Sequence, residues 1–219
     1  MTTITNDKCK ETRPARVAVT GGIGSGKTLV CRRLEEKGLV VFSADELSRL
    51  AVEPGTEAHG KIVSHFGKQV LMPDQTINRP ALRRMISADP EAKRALESII
   101  HPEVFGQMVR KIEEAEKNGA SLVVVEVPLL FESGFDAWFD FVILVSVDEE
   151  RRIQRIMSRD GVSRENAVAM MKIQMPEEEK RKRADFVIDN NGSESDTLLS
   201  IDRLYEYVIA NIRKKDKNS

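Results

Sequence analysis

Between Arg16 and Thr28 the chain reads RVAVTGGIGSGKT, and no other stretch limits the possible folds as strongly. Val17, Ala18 and Val19 are an apolar run of the kind that makes a buried strand, and the glycines behind them force a sharp turn into a helix. Gly21, Gly26, Lys27 and Thr28 complete the pattern G-x-x-x-x-G-K-[ST]. Glycines let the backbone curl until successive N–H groups point at a polyphosphate. Lys27 then reaches the terminal phosphates and the Thr28 hydroxyl is placed to bind Mg²⁺. The helix that starts here adds its positive dipole end. This loop predicts nucleotide binding, and the use made of the nucleotide must be read elsewhere.

A chain of 219 residues with 41% hydrophobic content buries one substantial core, with room for an inserted subdomain. Its 34 basic and 35 acidic side chains leave a formal charge of −1, so no global field draws it onto nucleic acid or an anionic membrane. Two cysteines, Cys9 and Cys31, make no disulfide framework and fit a reducing compartment. No apolar run approaches a membrane span, and residues 1–15 lack the apolar segment of a signal peptide. The expectation is a cytoplasmic monomer or weak homo-oligomer with a flexible polar tail over residues 1–15, and with neither nucleic acid nor membrane as partner.

Beyond the loop, Leu29, Val30 and Leu34 keep helical spacing until Gly38, and residues 39–42 (LVVF) read as a second strand. Ser43, Ala44 and Asp45 follow at its carboxyl end, on the rim that carries the phosphate loop in an open α/β sheet. Asp45 either caps a helix starting at Glu46 or faces the γ-phosphate as a base; beside a phosphate loop the base is the better expectation, and the two are compatible. Residues 53–118 carry helical patterns and little strand signal, which is too long for a connection and predicts a helical insertion. Within it Asp89-Pro90 marks a helix start, Asn118-Gly119 a helix end, and Pro102 predicts a bend that presents His101. The three histidines show no metal-ligand spacing, so no zinc site is expected.

Residues 122–127, 141–147 and 185–188 read as the third, fourth and fifth strands. Glu126, inside the third, is either a ligand to a Mg²⁺-bound water or a structural carboxylate. Arg152, Arg155 and Arg159 fall on one face of a helix over 148–159, either as a solvated basic surface or as a phosphate clamp on a mobile lid. The run EEEKRKR at 177–183 predicts a solvated helix surface. Leu198, Ile201, Leu204, Tyr205, Val208 and Ile212 predict a last helix that packs back on the sheet. The expected fold is a single α/β domain of the P-loop NTPase type: a parallel five-stranded sheet with helices on both faces. Its core spans 16–52, 119–147 and 184–219, with a helical insertion at 53–118 and a helical lid at 148–183.

A GTP-dependent switch needs a guanine-reading N-K-x-D, which is absent, and the D-x-x-G at Asp189–Gly192 falls too late. A small-molecule kinase fits the parts: a lysine, a Mg²⁺ site, a carboxylate and lid arginines for a transfer that needs positioning and charge neutralisation. Nucleoside or nucleoside monophosphate kinases, and a non-catalytic ATP-binding regulator, are the alternatives at this level. TGGIGSGKT, Ser43-Ala44-Asp45, Ile100-His101-Pro102, Pro128-Leu129-Leu130-Phe131-Glu132, the Arg155 and Arg159 pair and ADFVIDN at 184–190 together are more specific. As an ordered set, running from Arg16 to the last helix, they resemble the dephospho-coenzyme A kinase family.

That resemblance implies transfer of the ATP γ-phosphoryl group to the ribose 3′-hydroxyl of dephospho-coenzyme A with Mg²⁺, the last step of coenzyme A synthesis. It assigns Gly22, Ile23, Gly24, Ser25, Gly26, Lys27 and Thr28 to the ATP phosphates, with Thr28 also on the metal. Asp45 becomes the base at the acceptor hydroxyl, and Lys27, Arg155 and Arg159 neutralise the transferring group. The insertion becomes the acceptor-binding part, with Arg79 and His101 as contacts, and Asn190 lies near adenine. Two positions depart from the family: Ser43 stands where Asp is common, and Thr28 replaces a usual serine while keeping its hydroxyl.

Overall fold

The computed structural model describes residues 13–217, with side chains described through Ala210. Cys9, residues 1–12 of the expected tail and the side chain of Ile212 lie outside the described residues. Five strands, β1 (Ala15–Thr20), β2 (Val40–Ser43), β3 (Leu122–Glu126), β4 (Phe141–Ser146) and β5 (Phe186–Asp189), form one parallel sheet in the order β2-β3-β1-β4-β5. Their apolar runs arise because both faces are covered. Val17, Val19, Leu122, Val124, Ile143 and Val145 point to one face, under α1 (Lys27–Glu36) and α9 (Glu194–Lys217). Ala18, Val123, Val125 and Val142 point to the other, under α2 (Ala44–Leu50) and α5 (Pro90–Lys117).

Register sets where the site forms. Glu126 at the end of β3 pairs with Val19 on one side and Ser43 on the other. The phosphate loop, Glu126 and the Ser43-Ala44-Asp45 segment therefore leave the sheet on one rim. The sheet begins slightly earlier than the sequence indicated, because Ala15 N–H already donates to the Ser121 carbonyl (3.0 Å) and Arg13 forks onto Asp140 at 2.7 and 2.8 Å. The second strand runs one residue later, because the Leu39 N–H turns back to close α1 on the Leu34 carbonyl (3.2 Å).

The insertion holds α3 (Glu57–Phe66), α4 (Arg79–Ala88) and the first half of α5 around a small core that includes Ile62, Phe66, Val70, Leu82 and Leu96. Asp89 caps α5, accepting from the Glu91 N–H at 2.8 Å, and Pro90 occupies its first turn. The break in helix expected of Pro102 at His101 does not occur, since α5 passes through Pro102 as one helix. Proline there removes one backbone bond and typically costs about 3 kcal/mol. The helix survives because its two halves sit in different cores: Leu96 packs inside the insertion, while Met108, Ile112 and Ala115 pack under the sheet.

The segment expected as a lid holds α6 (Glu149–Asp160) and α7 (Arg164–Lys172), joined by a turn at Gly161 and followed by α8 (Glu177–Arg183). Ile153, Ile156 and Ala167 form a cluster of their own, against which Ile23 of the phosphate loop packs. The solvated surface expected of α8 is only partly present. Lys180 is 1% exposed, with its Nζ 2.8 Å from Glu132 Oε1, because α8 packs its middle against the Leu129–Ser133 turn and its acidic start against Ser146.

On the opposite face, α1 is tied to α9 through Asp202, which takes Arg33 Nε and Nη2 at 3.0 Å each and Lys37 Nζ at 3.0 Å. These cations hold the Asp202 carboxyl at about 2, Arg33 contributing most. A depressed carboxyl pKa stabilises the fold above the ordinary carboxylate value and ceases to do so as pH falls through the folded one. Asp202→Asn should therefore lower the thermal midpoint at neutral pH modestly, with wild type and variant converging as pH drops from about 4 to 2. Thermal unfolding by circular dichroism across that range tests it.

Candidate active site

Five consecutive carbonyls of the phosphate loop are held by side-chain donors. Lys27 Nζ donates to Gly21 (3.0 Å) and Gly22 (3.2 Å), and Arg152 Nε to Ile23 (3.1 Å). Arg155 donates to Gly24 (3.1 Å) and Ser25 (3.3 Å), and Asn190 Nδ2 to Ser25 (2.7 Å). With the oxygens turned to these donors, the N–H groups turn the other way. Those of Gly22, Gly24 and Gly26 have no protein acceptor among the described residues. This is an anion-binding nest opening into the first turn of α1, whose N–H groups are orphans in any helix. Gly26 has φ 97°, and a Cβ there would strike Asn190. At Gly22 a Cβ would run into the Arg152 guanidinium, so a side chain there would displace that donor from the loop.

Lys27 is buried, and burial lowers its pKa while the nearby Glu126 opposes the shift. Glu126 shows the converse: burial raises its pKa against the pull of Lys27, and Asp45 and Glu46 push it further the same way. Cys31, one turn into α1, is raised to about 12 by burial, so its thiol stays neutral beside Lys27. Asp45 is exposed on the rim. The helix begins at Ala44 with Ser43 as its first cap, so Asp45 sits inside the first turn and does not cap it as one expectation had it.

The oxygen donors on this rim are suited to Mg²⁺. Among the described residues no cluster of three or more His, Cys, Asp or Glu is present to cage a metal. Mg²⁺ asks for less, taking one or two protein oxygens and the rest from phosphates and water. The Thr28 hydroxyl with the carboxylates of Asp45 and Glu126 fits that demand.

One cavity of about 1980 Å³ joins these groups to the insertion and the lid. Ile23, Gly24, Gly26, Lys27, Thr28, Asp45, Arg155 and Arg159 all line it. Gly22 and Ser25 do not, being turned toward Arg152 and the sheet. Arg79 and His101, expected as acceptor contacts, are also outside it. Arg79 starts α4 and opens onto a groove with Pro80 and Arg84 that adjoins the main cavity, the two sharing Arg83 and Ser87. The His101 ring stays in the continuous α5 and packs edge-on against Phe135 with centroids 5.5 Å apart. Asn190 is 5% exposed, and both ends of its amide are committed to Ser25 and to the Thr197 hydroxyl (2.9 Å). Its side chain therefore shapes the loop from behind.

The three arginines of α6 divide. Arg152 is buried under the loop, paired with Glu177 (3.3 Å), which also accepts from Ser146. Arg155 reaches the loop carbonyls and the Asn190 carbonyl (3.4 Å). Arg159 is exposed at the cavity wall and forks onto its neighbour Asp160 at 2.7 and 2.8 Å. Gln174, which sequence reasoning missed, lines the cavity and accepts the Ile23 N–H at 2.8 Å. No local sequence signal marks a lone glutamine for that task.

With this geometry in view, comparison with known proteins is specific. The family profile described as dephospho-CoA kinase matches residues 15–196. A dephospho-CoA kinase of Geobacter sulfurreducens is 42% identical over 189 residues, covering 86% of this chain and 96% of its own. That of Syntrophotalea carbinolica is 39% identical over 203 residues, covering 93% and 96%. A crystal structure from Thermus thermophilus superposes with a TM-score of 0.79 at 36% identity over 91% of this chain and 98% of its own. The dephospho-CoA kinase from Campylobacter jejuni gives 0.66 at 29% identity, over 88% and 96%. A shikimate kinase from Acinetobacter baumannii, 17% identical with a TM-score of 0.51 over 92% and 96%, shares the P-loop NTPase fold.

The split among the α6 arginines is testable. Arg152→Ala strips the Ile23 carbonyl of its donor and leaves Glu177 with the Ser146 hydroxyl and, as its nearest cation, the more distant Arg181 at 3.9 Å, so it should cost about 1–3 kcal/mol of stability. Arg159→Ala loses a surface pair and should change stability by about 0.5 kcal/mol or less. Denaturant unfolding of the two variants beside wild type checks the contrast, and equal losses would refute it.

Proposed function

The chain belongs to the dephospho-CoA kinase family, and we propose that it transfers the γ-phosphoryl group of ATP to the ribose 3′-hydroxyl of dephospho-coenzyme A, the last step of coenzyme A synthesis. One observation carries the assignment of roles: a single cavity contains the phosphate loop, the Asp45 carboxylate and the wall of the insertion. Donor and acceptor then meet at the rim where Thr28, Asp45 and Glu126 face one another.

The free N–H groups of Gly22, Gly24 and Gly26 and the start of α1 hold the ATP phosphates, and Lys27 moves from the loop carbonyls to phosphate oxygens when they arrive. Asp45 accepts a hydrogen bond from the acceptor hydroxyl and so aims its oxygen at the γ-phosphorus. As the new O–P bond forms, the bond to the bridging oxygen of ADP breaks, and the hydroxyl proton passes to Asp45. A ribose hydroxyl is a weak acid, so orientation and late proton acceptance contribute more than prior deprotonation. Arg155 and Arg159, carried on the lid, neutralise charge spread over the transferring group. Thr28 would hold Mg²⁺, with Glu126 and Asp45 as the available carboxylates, and a metal there would supply neutralisation of phosphate charge. Arg152, Gln174 and Asn190 act earlier, keeping the loop in the shape that receives the phosphates.

Asp45→Asn keeps size and polarity but cannot take the proton, and should lower kcat by about 10² or more with ATP affinity nearly unchanged. Lys27→Ala should weaken both ATP binding and turnover. ADP release with dephospho-coenzyme A, adenosine, AMP and shikimate offered separately, with mass detection of the product, tests the activity. A gain of one phosphate on dephospho-coenzyme A alone is expected; full turnover by Lys27→Ala, or phosphorylation of another acceptor only, would overturn it.

A further inference from the structure

Glu132 ends the run Pro128-Leu129-Leu130-Phe131-Glu132, one of the segments that carry the family resemblance. Pro128 and Leu129 line the cavity, but Glu132 does not. Its carboxylate turns to the segment that follows α7: Oε1 accepts the Met175 N–H at 2.8 Å and lies 2.8 Å from Lys180 Nζ. Lys180 is 1% exposed, so its charge is matched inside the protein. Burial raises the Glu132 pKa, but the hydrogen bonds from Lys180 and Met175 outweigh it and hold the group below the ordinary carboxylate value.

A pair of this kind is a poor source of stability. Taking both charges out of water costs about as much as their attraction returns, and apolar side chains of similar volume often serve a fold equally well. What they do not supply is an acceptor at a fixed place, here under the Met175 N–H. That place matters because of the residues beside it. Gln174 Oε1 accepts the Ile23 N–H at 2.8 Å. Glu177 takes Arg152 Nη1 at 3.3 Å, and Arg152 Nε holds the Ile23 carbonyl at 3.1 Å. Both polar groups of the Ile23 backbone are thus set from residues 174 and 177, on either side of Met175. Lys180 follows Glu177 by three residues, so the two lie on the same side of α8. The pair also sits near the root of the loop, since the pKa of Lys27 is lowered by burial and, less, by the charge of Lys180.

Peptide planarity carries the effect to the nucleotide. The Ile23 carbonyl shares its plane with the Gly24 N–H, and the Ile23 N–H shares its plane with the Gly22 carbonyl. When Lys27 leaves that carbonyl for phosphate oxygens, Gln174 keeps hold of the other edge of the plane. We propose that Glu132, its carboxylate held by Lys180, is a positioning residue for the nucleotide site: it fixes Met175 and, through the adjacent Gln174, sets the Ile23 peptide in the orientation that receives the ATP phosphates. The proposal rests on the reading of the loop as an ATP site. Glu132 touches no substrate and acts through nucleotide affinity, leaving the transfer step to the groups around Asp45.

The test is calorimetric titration of the full chain with ATP and Mg²⁺, with thermal midpoints and steady-state kinetics alongside. Glu132→Leu combined with Lys180→Met removes both charges and the acceptor; Glu132→Gln combined with Lys180→Met removes the charges but keeps an acceptor for Met175. The Leu/Met chain should unfold near the wild-type midpoint yet bind ATP about tenfold more weakly. The Gln/Met chain should recover ATP affinity to within about twofold of wild type. Gln174→Ala should give a loss like that of the Leu/Met chain, and adding it to the Leu/Met chain should weaken ATP no further, because the two act through one contact. KM for ATP should follow these affinities, while kcat and the KM for dephospho-coenzyme A change little. Wild-type ATP affinity in the Leu/Met chain, a tenfold loss in the Gln/Met chain, or losses that multiply in the combined variant would each overturn the proposal. So would an equal weakening of dephospho-coenzyme A, which marks a general loss of structure. If the Leu/Met chain does not fold, the Gln/Met chain decides by the same criterion. A wild-type chain that does not bind ATP would instead refute the reading of the loop.

Discussion

Everything at the site depends on a backbone turned inside out. A free loop of glycines would present carbonyls and N–H groups to solvent indifferently; here donors from Lys27, Arg152, Arg155 and Asn190 take the carbonyl of every residue from 21 to 25. Peptide planarity then fixes the direction of the N–H groups. The positive concavity is thus produced by three cations and one amide standing behind it, two of the cations from α6 and the amide from the segment after β5. Because Ile23 also packs into the lid cluster, the loop is part of the lid's core as well as part of the nucleotide site.

The sheet supplies the second constraint. Parallel pairing at a register that sets Val19, Ser43 and Glu126 side by side brings three chain segments, far apart in sequence, to one edge within a few residues of their strand ends. Two side-chain layers hold that register, since a slip by one residue would exchange Val17 and Val19 with Ala18 across the sheet. Lys27 and Glu126 are then forced together at partial burial, each moderating the other's cost of desolvation.

Much of this was legible in the chain itself. The strands were visible because a parallel sheet buried on both faces has to be written in unbroken apolar runs, and the loop because glycine, lysine and threonine at fixed offsets have few other uses. What stayed hidden depended on contacts across the molecule. Helical spacing put Arg152, Arg155 and Arg159 on one broad face, but burial of Arg152 is decided by Glu177 and Gly22, which come from other segments. Pro102 looked like a bend because local rules count the lost hydrogen bond and cannot count the two cores that hold α5 on either side. Arg79 and Arg83 are one helical turn apart, and only the fold tells which of them faces the nucleotide rim. Asn190 was expected near adenine, and no local signal showed that its amide is also shared between Ser25 and Thr197 across the molecule.

The unbroken passage of α5 through Pro102 also has a mechanical meaning. The helix is a strut of 28 residues anchored at one end in the insertion and at the other beneath the sheet, with one rung missing between. A beam yields where its section is reduced, so relative motion of the two bodies concentrates in the turn before Pro102. From there to Pro90 the lever arm is about 18 Å, and it ends at the cavity wall that carries Lys93. A small flexure there would shift the Lys93 side of the cavity relative to the phosphate loop, which its ring of donors clamps in place.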